Sequence, residues 1–246
     1  MGHAMHASPS QGASMSISYA YEVALCGCAD CAERLSAWFS ARPSQTLARL
    51  PGLTSLDRYL PIAGPSRDPY NHDGAGPLML LMLNFPSPEA LSAARPAIEA
   101  AFHTLPHEVA ATGAGFKRIL YPVGDGEGPA PLEAPFSYVV RYHRPADDEA
   151  QFVQNYLATH PHTQAKLPAI RSILCYVPVK GAPRSGRLAD PDYMVGNEVV
   201  FDNPEAFGAA MASPAREELR AHYREFPRFT GANTHYPMQR SRLFGS

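Results

Sequence analysis

Two stretches of this chain repeat one another at a fixed offset, and no other feature restricts its fold as strongly. Residues 38–62 (WFSARPSQTLARLPGLTSLDRYLPI) lie on residues 155–179 (NYLATHPHTQAKLPAIRSILCYVPV) at a constant shift of 117, without a gap. Eight of the 25 positions are identical, and others keep their character, as Phe39 does with Tyr156 and Leu53 with Ile170. Residues 83–94 lie on residues 199–210 at a shift of 116, with six of 12 identical. The one-residue change of shift falls in a loop, where insertions are tolerated. A repeat of roughly 110 residues defines a structural unit, and chemistry carried by only one copy stands out against the other.

The bulk composition agrees with two units. A chain of 246 residues with 45% hydrophobic side chains can bury a core in each of two domains. A formal charge of −2 gives no reason to expect nucleic acid or an acidic membrane as partner. No apolar run approaches the ~18 residues that span a bilayer. Residues 1–16 are small and polar and lack the apolar core of a signal peptide, so they read as a disordered arm. Four cysteines in so long a chain are not a disulfide framework, and the expected compartment is the cytoplasm.

Each unit yields the same order of elements. In the first, a strand is expected over 17–25, a helix over 30–49, strands over 53–62 and 78–85, a helix over 87–104 and a strand over 116–123. The second matches with a strand over 136–143, a helix over 147–166, strands over 170–179 and 193–201, a helix over 203–226 and a strand over 231–238. Ser87-Pro88-Glu89 and Asn203-Pro204-Glu205 each supply a capping side chain, a first-turn proline and a carboxylate on the positive end of the dipole. Asp30-x-x-Glu33 reads as a capping box, and Ser213-Pro214 as a break in the last helix.

The order is βαββαβ twice, the ferredoxin-like arrangement, in which helices cover only one face of the sheet. The bare faces are expected to pack on each other, giving an α+β intrachain barrel. The divisions are an arm over 1–16, a first ferredoxin-like unit over 17–123, a Pro/Gly-rich linker over 124–135 and a second unit over 136–240.

The stretch Phe152-x3-Tyr156-x3-His160, followed by Lys166-Leu167-Pro168 and Tyr176, resembles the EthD-like branch of the dimeric α/β-barrel superfamily. The first unit resembles it only through Leu50-Pro51-Gly52 and Tyr59, with Pro43 in the place of the histidine. The resemblance implies small aromatic or cyclic organic substrates and cofactor-free chemistry in their catabolism: lactone isomerisation, polyketide cyclisation or dehydration, or oxygenation. It implies a lyase or isomerase with His160 as acid/base, with a cofactor-free monooxygenase or a non-catalytic binding protein as the alternatives.

His160 is the leading catalytic candidate on its residues too. Phe152 and Tyr156 stand one and two turns earlier on the same helix face. The bond to Pro161 disfavours helical geometry at His160, so the helix is expected to stop there and its C-terminal dipole to hold the proton. The competing reading is a core or capping histidine. His162 is expected at the surface. Arg141 and His143 share one face of their strand; a buried Arg141 requires a partner, for which Glu198 on the neighbouring strand is the candidate. Tyr156, Arg141, His143, Tyr193 and Glu198 are the candidate ligand-binding residues. His222 and Tyr223, spaced with Leu219 and Phe226, read as core.

Cys26-x-Cys28-x2-Cys31 runs from a strand end into a helix start, but no fourth ligand lies nearby for a structural zinc. Inert thiols are the favoured reading over a metal site or a redox pair, and no metal or cofactor is expected. Residues 64–76 and 180–196 are long polar connections that read as pocket rims or lids. The expected partner is a small-molecule substrate, with room for a homodimer of the two-unit chain.

Overall fold

A computed structural model describes residues 15–62, 76–123, 135–179 and 186–245. Most of the arm, of the linker and of the first long polar connection, and residues 180–185 of the second, therefore lie outside the described residues. Among the described residues eight strands, β1 (Ser16–Cys26), β2 (Ser55–Pro61), β3 (Met79–Phe85), β4 (Ala110–Tyr121), β5 (Phe136–His143), β6 (Ser172–Pro178), β7 (Tyr193–Phe201) and β8 (Asn233–Phe244), form one closed antiparallel barrel. Around the barrel the order is β4-β1-β3-β2 followed by β8-β5-β7-β6, closed by the pairs β2·β8 and β4·β6. The second half repeats the strand order of the first. β2 and β6 differ by the constant 117 read from the sequence, Ser55 matching Ser172 and Pro61 matching Pro178.

Among the described residues six α-helices pack on the outside: α1 (Ala32–Ala41), α2 (Pro43–Leu47), α3 (Pro88–Ala101), α4 (Glu149–Gln164), α5 (Pro204–Met211) and α6 (Ala215–Arg224). Among the described residues no helix is long and apolar enough to cross a membrane. Side chains alternate along each strand, so every strand feeds two cores. Leu81, Leu83 and Phe85 of β3 join Leu35 and Phe39 of α1 under the first set of helices. Tyr138, Val140 and Tyr142 of β5 join Phe152 and Tyr156 of α4 under the second. The opposite parity, including Leu80, Met82, Phe116, Leu174, Val200 and Met238, fills the barrel lumen.

The helix starts follow local chemistry. Ser87 accepts a hydrogen bond from the Ala90 amide at 3.2 Å and Asn203 from the Ala206 amide at 2.8 Å, each followed by proline at the first helical position. Asp148 caps α4 by accepting from the Gln151 amide at 2.9 Å. The expected Asp30 capping box does not form: residues Ala29–Cys31 make a 3-10 turn, and α1 starts at Ala32 with no side-chain cap. The first helical stretch also breaks at Arg42-Pro43, and the last breaks before Ala215, as Ser213-Pro214 predicts.

Pro161 behaves differently from Pro43, which stands in the first copy at the place of His160. The expectation that the helix stops at His160 is overturned, because α4 runs on to Gln164 with Pro161 inside it. A proline within a helix leaves the carbonyl four residues earlier without its amide partner. That carbonyl belongs to Leu157, and the Tyr121 hydroxyl of β4 donates to it at 3.0 Å. A hydrogen bond from across the barrel seam replaces the one that Pro161 removes.

Candidate functional site

Phe152, Tyr156, His160 and Gln164 recur every four residues along α4, and all four are buried. They lie over the outer face of the second half-barrel, where Val140 and Tyr142 of β5 and Asn197 of β7 form the floor. α6 closes the opposite side and packs on α4 and α5. Between them is a cleft of about 60 Å³.

The cleft holds a compact set of polar groups. The His160 ring lies 4.8 Å from that of Tyr156 and 5.2 Å from that of His222, measured between centroids. Nδ1 of His160 and Nδ1 of His222 are 3.1 Å apart, so one ring donates to the other. Gln164 and Asn197 form a reciprocal amide pair at 2.7 and 3.1 Å. That exchange fixes both side chains in the floor. Arg216, also buried, and Arg220 stand on the α6 side.

The protonation states follow from burial. His160 is 7% exposed, and burial, with His222 second, pushes its imidazole down to about 3. It is therefore neutral at physiological pH, opposite to the expected proton-holding histidine at a helix end. Burial raises the Tyr156 phenol well above its ordinary value, with Tyr142 the next cause. The Tyr156 hydroxyl makes no hydrogen bond of normal geometry. The cleft thus joins a neutral imidazole to a protonated phenol with donor capacity to spare.

Of the sequence candidates, the structure brings together Tyr156 and His160. Arg141, Tyr193 and Glu198 lie on the opposite face of the same strands, inside the barrel. Strand parity dictates this, since Val140 and Tyr142 face α4 and Arg141 therefore cannot. The expected Arg141–Glu198 pair is not formed. Arg141 pairs with Glu22 of β1, its guanidinium between the rings of Tyr176 at 5.4 Å and Tyr193 at 5.1 Å. Glu198 instead accepts from Ser137 at 2.6 Å and Tyr176 at 2.7 Å. The Tyr193 hydroxyl donates to Glu22 at 2.6 Å. His143 sits at the barrel rim against Asp192 at 2.5 Å and Thr234 at 3.1 Å, and His162 is exposed, as expected. His222, which the sequence pattern reads as core, stacks on His160, and Gln164 and Asn197, which line the cleft, are not marked as candidates by the sequence reading. The signal for Gln164 was its place four residues after His160; nothing in the sequence marks Asn197.

The described end of the second polar connection is not a rim of this cleft. Leu188 is buried in the first core and Ala189 bridges to Thr112 of β4. Among the described residues, no group of three or more His, Cys, Asp or Glu side chains is placed to hold a metal ion.

No protein-family model matches the sequence, and no curated protein matches it either. Solved structures do match. An anthrone oxidase-like protein superposes with a TM-score of 0.60 at 12% identity, over 92% of this chain and 93% of that one. The chain has a dimeric α/β-barrel-like fold. A proposed monooxygenase from Lactobacillus acidophilus NCFM shares the barrel with a TM-score of 0.51 at 10% identity, over 92% of this chain and 95% of that one. A protein of the ethyl tert-butyl ether D (EthD) family from Bacillus halodurans C-125 matches 41% of this chain with 96% of its own, at 19% identity and a TM-score of 0.32. At these identities the likeness speaks for the fold alone.

Proposed function

We propose that this barrel is a cofactor-independent lyase or isomerase for a small aromatic or cyclic organic compound, with His160 as its acid/base. Chain architecture enters the same reading: two ferredoxin-like units fused in tandem, of which only the second, EthD-like unit carries the site. The repeated strand order and the replacement of His160 by Pro43 in the first copy support that asymmetry.

The observation that carries the reading is the pairing of a neutral, buried His160 with a Tyr156 hydroxyl that makes no hydrogen bond of normal geometry, both residues lining one cleft. In the proposed step His160 takes a proton from carbon of the bound compound. The oxyanion left on the substrate accepts a hydrogen bond from Tyr156. His160 then returns the proton to a second carbon, or to a leaving group. An imidazole of such low basicity is a weak base in the empty cleft. A negative charge forming beside it stabilises the imidazolium and raises that basicity when it is needed.

A cavity of ~150 Å³ is known to hold a benzene, and this cleft offers about 60 Å³. It admits the reactive edge of a ring, and a whole ring requires α6 to move outward. Arg141, His143, Tyr193 and Glu198 drop out of the ligand-binding set under this reading, because the strand face that carries them points away from the cleft.

Incubating the protein in deuterated water with lactones, cyclic ketones and phenols, and following deuterium entry at carbon by NMR, tests the proposal. Exchange that is lost in both Tyr156→Phe and His160→Gln supports it. Exchange untouched by both contradicts it. Two full-length structural neighbours carry oxidase and monooxygenase names, which keeps cofactor-free oxygenation as the second reading. There the same base would form a substrate carbanion that reacts with dioxygen, and substrate-dependent oxygen uptake would distinguish it. A non-catalytic binder would show compounds held in the cleft with no exchange at all.

A further inference from the structure

The cysteines of the first unit lie far from the cleft and play no part in the reading above. Cys28 and Cys31 flank a single 3-10 turn between β1 and α1, closed by the Cys31 amide donating to the Cys28 carbonyl at 3.0 Å. Their two sulfurs are 2.7 Å apart, and both thiols are free. A disulfide of ordinary length, about 2.05 Å, requires an approach of only about 0.6 Å. The turn already fixes both backbones, so little conformational entropy remains to oppose the bond.

The two thiols differ in access. Cys28 is exposed, whereas Cys31 is 2% exposed and packs in the first core with Leu35 and Phe39. Arg34, one turn further along α1, reaches the Cys31 thiol and pairs with Glu108 at 2.6 Å. An exposed thiol backed by a buried one in contact is the arrangement needed for attack by an outside reagent and resolution from within.

We propose that Cys28 and Cys31 form a reversible dithiol–disulfide site that exchanges with low-molecular-weight disulfides. The Cys28 thiolate attacks a disulfide RSSR, forming the mixed disulfide Cys28–SR and releasing one thiolate RS⁻. Cys31, giving up its proton, attacks the Cys28 sulfur, forms the Cys28–Cys31 bond and expels the second RS⁻. The protein loses two hydrogens, and the disulfide is reduced to two RSH. Arg34 stands where it would stabilise the Cys31 thiolate during the second step. The closed bond ties the end of β1 to the start of α1, which has no side-chain cap of its own.

The test equilibrates the reduced full-length protein in glutathione buffers of increasing oxidised fraction, quenches with acid, then alkylates free thiols in denaturant and maps them by mass spectrometry. Wild type and Cys26→Ser are expected to lose two alkylatable thiols, joined as Cys28–Cys31. Cys31→Ser should stop at a stable mixed disulfide on Cys28, and Cys28→Ser should leave Cys31 alkylatable. The proposal is overturned if wild type keeps both thiols at every ratio, stops at the mixed disulfide, or joins Cys26 instead.

Discussion

An imidazole enclosed by Tyr156, His222 and Phe226 gives up its proton far more readily than an exposed one. His160 is held down to about 3, while in an unfolded chain it titrates near ~6.5. A folded-state value below the unfolded one means that the unfolded chain binds the extra proton. Stability from this group is complete above about pH 6.5 and is lost as pH falls toward 3, by about 2 kcal/mol at pH ~5. Thermal melts from pH 8 to 5 should show this loss in wild type and a flatter profile in His160→Gln. A second residue-scale effect concerns the turn after each repeated Leu-Pro. Gly52 and Ala169 occupy equivalent positions in the left-handed region, at φ 75° and 58°. Only Ala169 bears the steric cost of its Cβ there. Ala169→Gly should therefore stabilise the protein by about 1 kcal/mol, read from denaturant midpoints.

Among the elements, α4 decides where His160 stands, and a single hydroxyl keeps α4 whole. Tyr121→Phe would leave the Leu157 carbonyl without either an amide or a phenol. The expected loss is about 1–2 kcal/mol, with weakened ligand binding because the helix end carrying His160 is released. Equal stability and binding in Tyr121→Phe would show that Pro161 needs no such support. This element also marks how far the sequence could be read. Caps at Ser87 and Asn203 were legible because their determinants lie within three residues. The continuity of α4 was not, because the group that repairs it comes from β4, 36 positions away. Local signals mislead in the other direction at Asp30, where the tight Cys28–Cys31 turn takes the place of the expected box. His160 and Tyr156 were legible from helical spacing. Their true neighbours on α6 and β7 depend on packing that no local pattern states.

Across the whole molecule, ion pairs in the lumen join the two halves of the barrel. Glu22 of β1 meets Arg141 of β5, and Asp57 of β2 meets Arg240 of β8 at 3.1 Å. The partner of Arg141 could not be read from sequence, because which strand faces it across the lumen is set only when the barrel closes. Removing one member of a buried pair strands the other, so Glu22→Ala should destabilise by about 3–5 kcal/mol. The surface pair Lys166–Glu218, about half exposed on both sides, supplies the control: Lys166→Ala should change stability by about 0–1 kcal/mol. Similar losses in the two variants would argue against the lumen network as the bond between the halves. The same closure separates a lumen that fixes the fold from the outer cleft in which the proposed chemistry would take place. The most direct test of that division is turnover by wild type and His160→Gln on a compound that wild type converts, with melting temperature measured on both at pH 8. The account predicts a fall of about 100-fold to 10,000-fold in rate with little change in melting; an unchanged rate would contradict it.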